Sequence, residues 1–375
     1  MRSSHASAPL ESRGSSTVAE EAAAKKRRRA GIIGTVVGVA AAGVAAGVAV
    51  ERLVVRRSRL RTDDPMGEEP FGQLPYDTTL TVTTDDDITL HVEIVDPMWP
   101  SGQPTLVFVH GFCLDQGTFH FQRRFLDERG EHRMVFYDQP GHGFSTSLSD
   151  GEYELPALGD ALYDVIKAAV PTGKIVLIGH SMGGMTIMAL AEQHPDLFKN
   201  RVCGVILIAT SGGQLDGSRL FGLSDLISRA APPVMSVVKG ATRLSGGMID
   251  KLRLASTDLA WLLTRRYGFG GEKPPPSLVS YVEKMNSRTS TDTVARYLRT
   301  IYSHARYPAL RTLEHLPVLL VSGDKDMITP LAHSEEIARL LPHAQYVKIA
   351  NSGHVVMLEC ADEVNAAIQG FLEQM

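Results

Sequence analysis

Ser181 stands in IVLIGHSMGG, residues 175–184, where four apolar residues run into Gly179-His180-Ser181-Met182-Gly183 and a helical pattern follows. G-x-S-x-G between a strand and a helix is the setting for a nucleophile on a tight turn. The turn is sharp enough that its flanks must be small, and the serine takes unfavourable backbone angles that lift its Oγ clear of the sheet. The start of the following helix adds a field that favours developing negative charge. A surface Gly/Ser turn shares the composition but not the strand-turn-helix context.

A serine hydroxyl is a weak nucleophile; it needs a base, and the base needs an orienting acid. Where the serine sits on such an elbow, the acid and then the histidine follow it in the chain. LLVSGDKDMITP places Asp324 and Asp326 just past a strand end, and VKIANSGHVVMLE places His354 just past the last strand. Asp326 lies farther from its strand and nearer the loop apex, whereas Asp324 could cap or brace the turn. Of thirteen histidines, His354 has the right loop and the right order. His5, His120, His132, His194 and His343 read as surface or structural, and the elbow turn should send the His180 side chain away from the serine.

Acyl transfer also needs donors for an oxyanion. The Met182 N–H directly follows the nucleophile. The Phe112 N–H, in VHGFCLD, is the expected second donor, with Gly111 letting the backbone pass close and His110 holding the loop by hydrogen bonds. YDQPGHGFS, residues 137–145, contains Gly141 and Gly143 but lacks the spacing of a dinucleotide fingerprint, so it reads as a loop that braces the site. No HExxH, P-loop or EF-hand pattern is present, and neither a cofactor nor a metal is expected.

Elements must bring these loops together. TLTVTT and ITLHVEIV, separated by Asp85-Asp86-Asp87, read as a hairpin. TLVFVH, RMVFYD, KIVLIGH, VCGVILIAT, PVLLVSGD and QYVKIA are nearly continuous apolar runs, the mark of strands buried on both faces. They alternate with helical stretches, which predicts an α/β fold with a mostly parallel central sheet and helices on both faces. Parallel strands end on one edge, so the loops bearing Ser181, Asp326 and His354 should open there together. About a hundred residues, 212–312, interrupt the rhythm with helical patterns and no strand, and predict an inserted helical cap over that edge.

The formal net charge is −4, unevenly spread: residues 1–61 carry 12 Lys and Arg against 4 Asp and Glu. The rest of the chain is therefore acidic, which argues against nucleic acid as its partner. Residues 1–29 read as a disordered tail ending in KKRRR. Residues 30–50, AGIIGTVVGVAAAGVAAGVAV, carry no charge. At 1.5 Å per residue they would span roughly 30 Å, a bilayer core, as a weakly hydrophobic transmembrane helix. The basic flanks on both sides leave orientation open, and a cleaved signal sequence is the rival reading. The expected placement is a single-pass membrane anchor, with secreted or cytoplasmic placement as alternatives. Residues 51–75 read as a linker and 76–375 as the main domain. Cys113, Cys203 and Cys360 form neither a disulfide framework nor a CxxC metal pattern.

VHGF, YDQPGHGFS, GHSMGG, GDKDMITP and NSGH, in this order and spacing, resemble the α/β-hydrolase superfamily over about residues 76–375. The resemblance implies Ser181 as nucleophile, Asp326 as acid, His354 as base, and the Phe112 and Met182 amides as the oxyanion hole. Haloalkane dehalogenases and epoxide hydrolases are disfavoured because they use an aspartate nucleophile. The HGGG loop of one lipase branch is replaced by His110-Gly111-Phe112, and the Gly-Gly-Ser-Trp-Gly elbow of proline iminopeptidases is absent. The resemblance implies a serine esterase or lipase acting on a carboxylic ester, and the apolar cap and expected anchor point to a small, lipophilic one. A thioesterase, a C–C bond hydrolase and a cofactor-free haloperoxidase share the fold. A non-catalytic, membrane-anchored binding protein is the alternative from another class.

Overall fold

Strands buried on both faces have no polar side to alternate with, and the computed structural model puts each expected strand in one sheet. It describes residues 64–99, 102–149, 153–215 and 260–375. The strands are β1 (Thr78–Thr83), β2 (Thr89–Val95), β3 (Thr105–Val109), β4 (Met134–Tyr137), β5 (Ile175–His180), β6 (Val202–Ile208), β7 (Val318–Gly323) and β8 (Gln345–Ile349). Their order is β1-β2-β4-β3-β5-β6-β7-β8. β1 and β2 form the antiparallel hairpin, β2 runs antiparallel to β4, and every later pairing is parallel.

The helices are α1 (His120–Arg129), α2 (Leu155–Ala169), α3 (Met182–Gln193), α4 (Pro195–Asn200), α5 (Pro276–Arg288), α6 (Thr291–Ser303), α7 (Leu331–Leu340), α8 (Val356–Glu359) and α9 (Ala361–Leu372). Alternate strand residues face opposite ways. Val107, Val135, Leu177, Val205 and Leu320 join one apolar cluster with α2 and α3. Phe108 and Phe136 turn to the other face, where their rings stack at 4.4 Å, the side on which α1 and α9 pack together. Each fully buried Val, Leu, Ile or Phe contributes about 1.5–3 kcal/mol, so the central strands carry twice the apolar load of a half-exposed sheet.

Between β6 and β7 the described residues contain no strand. Residues 260–268 are helical, α5 and α6 follow, and a 3-10 turn at Tyr307–Leu313 leads into β7. Ser290 caps α6 by accepting from the Thr293 amide at 3.1 Å. Trp261, a side chain whose direction the sequence leaves open, is buried, and its Nε1 donates to Ser280 Oγ at 2.9 Å. It therefore helps to pack the insertion.

The tail expected over 1–29, the membrane helix expected over 30–50 and the first part of the linker lie outside the described residues. Among the described residues, no helix is long and apolar enough to cross a membrane. Residues 64–75, expected as the end of the linker, pack on the domain. Asp64 accepts from the amide and hydroxyl of Ser277 at 2.8 and 3.1 Å, serving as a cap for α5. Glu69 pairs with His120 at 2.7 Å and Arg124 at 2.6 Å. Phe71 stacks on Tyr281 at 4.5 Å. Asp64 and Glu69, which look solvated in sequence, thus find partners on the domain surface.

α3 lies so close to β3 that Gly183 touches the strand's backbone: a Cβ built there would fall inside the Val109 carbonyl. Gly183→Ala is expected to cost about 3 kcal/mol or more. A thermal melt checks this; a variant melting within 2 °C or so of the parent would overturn it.

Candidate active site

The loops after β3, β5, β7 and β8 open on one sheet edge because these strands are parallel. Ser181 follows β5 at φ 52° and ψ −118°, the region disfavoured for a side-chain-bearing residue. Among the described residues, four bonds to its backbone hold it there, one of them from the Met185 N–H to its carbonyl at 3.3 Å. Its N–H donates to the Ile208 carbonyl at 3.0 Å. Its carbonyl accepts from the Gly184 N–H at 3.0 Å and from Thr210 Oγ1 at 2.6 Å.

Ser181 Oγ lies 2.9 Å from His354 Nε2. His354 Nδ1 lies 2.9 Å from Asp326 Oδ2. All three residues are 6% exposed, so little water competes for these bonds. Asp326 Oδ1 accepts from the Ile328 and Thr329 amides at 2.8 and 2.9 Å. Thr329 Oγ1 lies 2.7 Å from Asp326 Oδ2 and 2.9 Å from the Ala209 carbonyl, with one proton to donate. With Asp326 accepting at Nδ1, the neutral imidazole keeps its Nε2 lone pair for the serine hydroxyl. Asp324 is exposed and makes no such contact to His354 among the described residues.

The oxyanion donors expected at Phe112 and Met182 sit on the loop after β3 and at the first residue of α3. Among the described residues neither N–H donates to a backbone acceptor. Gly111 is pressed against the elbow, where a Cβ would meet His180 Nδ1 at 2.7 Å. His110 holds the loop, as expected. Its Nδ1–H donates to the Gly111 carbonyl at 2.8 Å, and its Nε2 accepts from the Gln139 amide at 2.8 Å. Gln139, from YDQPGHGFS, donates its side chain to the His110 carbonyl at 2.6 Å and accepts from Thr186 Oγ1 at 2.8 Å. That loop thus braces the β3 loop against α3.

His180 turns away from the serine, but to a definite partner: its Nε2–H donates to the His354 carbonyl at 3.0 Å. Thr329 and Glu359 also touch this machinery and carried no sequence expectation. Thr329 sits three residues after Asp326, a spacing at which an aspartate accepts from the backbone, and that was a usable signal. His120 pairs with Glu69, His194 with Asp160, and His132 and His343 bind backbone carbonyls, all structural roles as expected. The three cysteines are free thiols.

A sheet of this order, with a serine, a histidine and an acid in contact at its carboxyl edge, defines the hydrolase class of doubly wound α/β proteins. The chain belongs to the α/β hydrolase fold family, whose sequence model matches residues 104–361. It is 27% identical over 271 residues to the sn-1-specific diacylglycerol lipase of Mus musculus, covering 72% of this chain and 81% of that one. It is 27% identical over 301 residues to the pimeloyl-[acyl-carrier protein] methyl ester esterase of Xanthomonas oryzae, covering 76% of this chain and 98% of that one. Among solved structures it is similar to a thermophilic esterase from Thermogutta terrifontis, with TM-score 0.59 and 26% identity over 80% of this chain and 99% of that one. These similarities support a hydrolase.

Burial drives the pKa of His110 down to about 4. Burial, with His110 nearby, drives His142 down to about 3. Burial, with His354 nearby, holds His180 well below the usual imidazole range. Burial, with Arg306 nearby, likewise drives His304 down to about 4. Unfolding restores a value near 6.5 to all four, so below that pH the unfolded chain binds up to four more protons. Asp138 opposes this: burial and Asp115 push it up to about 7, so the folded state keeps one proton that the unfolded state has lost. The net of up to three protons makes stability full above pH 6.5 and lost as pH falls towards 4, by up to about 4 kcal/mol per pH unit. Urea midpoints should drop steeply between pH 6.5 and 5; a flat profile there would contradict the neutral burial of these histidines.

Proposed function

We propose that this chain is a serine hydrolase of carboxylic esters that works through an acyl-enzyme. The observation that supports it most is the unbroken chain from Ser181 Oγ through His354 to Asp326, with both links at 2.9 Å. As Ser181 Oγ attacks the ester carbonyl, its proton passes to His354 Nε2 and Asp326 stabilises the imidazolium. The carbonyl oxygen, now negative, accepts from the Phe112 and Met182 amides. His354 gives its proton to the departing alkoxide, leaving an ester on Ser181. A water molecule then loses its proton to His354 and attacks that ester, and the acid leaves as the proton returns to Ser181.

The relatives named for diacylglycerol and methyl ester hydrolysis favour an oxygen ester over a thioester or a C–C bond, and a lipophilic acyl group over a polar one. Membrane association through residues 30–50 would fit such a substrate and belongs to the same reading.

Ser181→Ala should abolish both labelling by a fluorophosphonate and ester turnover; labelling that persists sinks the assignment. Asp326→Asn should lower kcat about 10⁴-fold while the fold survives. Asp324→Asn should leave kcat within about threefold. With p-nitrophenyl esters graded from two to twelve carbons, kcat/KM should rise with acyl length over the first several carbons, since each added CH₂ contributes up to about 0.8 kcal/mol of binding. A maximum at acetate would argue against a lipophilic substrate.

A further inference from the structure

The loop that carries His354 is held from the insertion as well as from the sheet. Glu359 ends the short helix α8, five residues after His354, and its carboxylate collects three backbone amides. Oε2 accepts from Gly353 N–H at 2.6 Å, immediately before His354. Oε1 accepts from Gly271 N–H at 2.6 Å. Gly270 N–H lies 3.0 and 3.1 Å from the two oxygens. One carboxylate therefore joins the His354 loop to the glycine loop that follows residues 260–268 of the insertion.

The two loops meet backbone to backbone. A Cβ at Gly353 would stand 2.6 Å from the Gly268 carbonyl oxygen and 2.6 Å from the Gly270 nitrogen. The Val355 N–H donates to the Gly268 carbonyl at 3.0 Å. Gly353, Gly270 and Gly271 have no side chains to interlock, so hydrogen bonds hold their backbones to one another. Charge-assisted bonds to a carboxylate are the strong members of that set. On the other side, His180 holds the His354 carbonyl. The backbone of residues 353–355 is thus fixed at Gly353 N–H, His354 C=O and Val355 N–H, and two of these three holds run to Glu359 or to the insertion.

We infer that Glu359 is a positioning residue for the base His354, and that it makes the position of that base depend on the insertion loop at Gly270 and Gly271. This rests on the assignment of His354 as base made above. Removing the carboxylate frees the Gly353 amide, lets the His354 loop drift from Ser181, and leaves the Val355–Gly268 bond as the remaining hydrogen bond between the two loops among the described residues. Displacements of about 1 Å in such geometry cost on the order of 10²-fold in rate.

The full chain with Glu359→Ala should show kcat lower by about 10–100-fold and KM within about threefold of the parent, because the loss falls on proton transfer. The rate of Ser181 phosphonylation at saturating fluorophosphonate should fall in step. Glu359→Gln keeps one carbonyl oxygen, which can still accept from Gly353 and Gly270, but loses the charge and the bond to Gly271, and should recover part of the loss, standing about 3–10-fold below the parent. A folded Glu359→Ala with parental kcat and phosphonylation rate, altered only in melting temperature, would overturn the inference. If that variant does not fold, Glu359→Gln at parental kcat overturns it instead. A parent chain that resists the fluorophosphonate would break the underlying assignment of Ser181 and His354, a result readable before any Glu359 variant is made.

Discussion

Ser181 is held in a backbone conformation that a residue with a side chain avoids, at a cost of about 1–3 kcal/mol. The rest of the site is arranged around keeping it there. The turn exists because α3 starts one residue after β5 ends, and α3 can start so early only because glycine lets it lie against the Val109 carbonyl. Ile208 and Thr210, from the neighbouring strand end, take the serine's own amide and carbonyl. The strain is thus sustained by one of the best-buried parts of the sheet, where local opening is least accessible.

That one constraint also explains why the partners come from three other loops. An elbow projects its hydroxyl over the sheet's carboxyl edge, and only loops leaving parallel neighbours reach the same point. Asp326 and His354 arrive from β7 and β8, at the far side of β6. Asp326 is saturated by two amides, a hydroxyl and the imidazole, so it holds one orientation and can fix the histidine tautomer. Preorganisation of this kind is settled during folding, so little rearrangement remains for the reaction itself.

Much of this was legible in the residues. Runs such as TLVFV and VCGVILI read correctly as central strands because burial on both faces removes every polar position. The elbow was legible because its glycines answer a local steric demand. Asp326 and Asp324 could not be separated by their spacing to β7 alone, since the choice depends on which carboxylate turns inward to meet His354. Glu359 was invisible for a related reason: its partners Gly270 and Gly271 lie almost ninety residues earlier in the chain, and no periodicity records a meeting of two loops. The packing of residues 64–75 was missed because Pro, Gly and acidic residues describe a solvated linker as well as a segment whose acids find histidine, arginine and an α5 amide on the domain surface.

The fastening of residues 64–71 has a mechanical consequence. Asp64 grips the start of α5, Glu69 grips α1, and Phe71 lies flat on Tyr281. Tension on the chain at Asp64 would therefore be borne first by the insertion and the outer helix, through ion pairs and a ring stack, before any strand of the sheet felt a load. The elbow, anchored in the sheet, would be among the last parts to feel it.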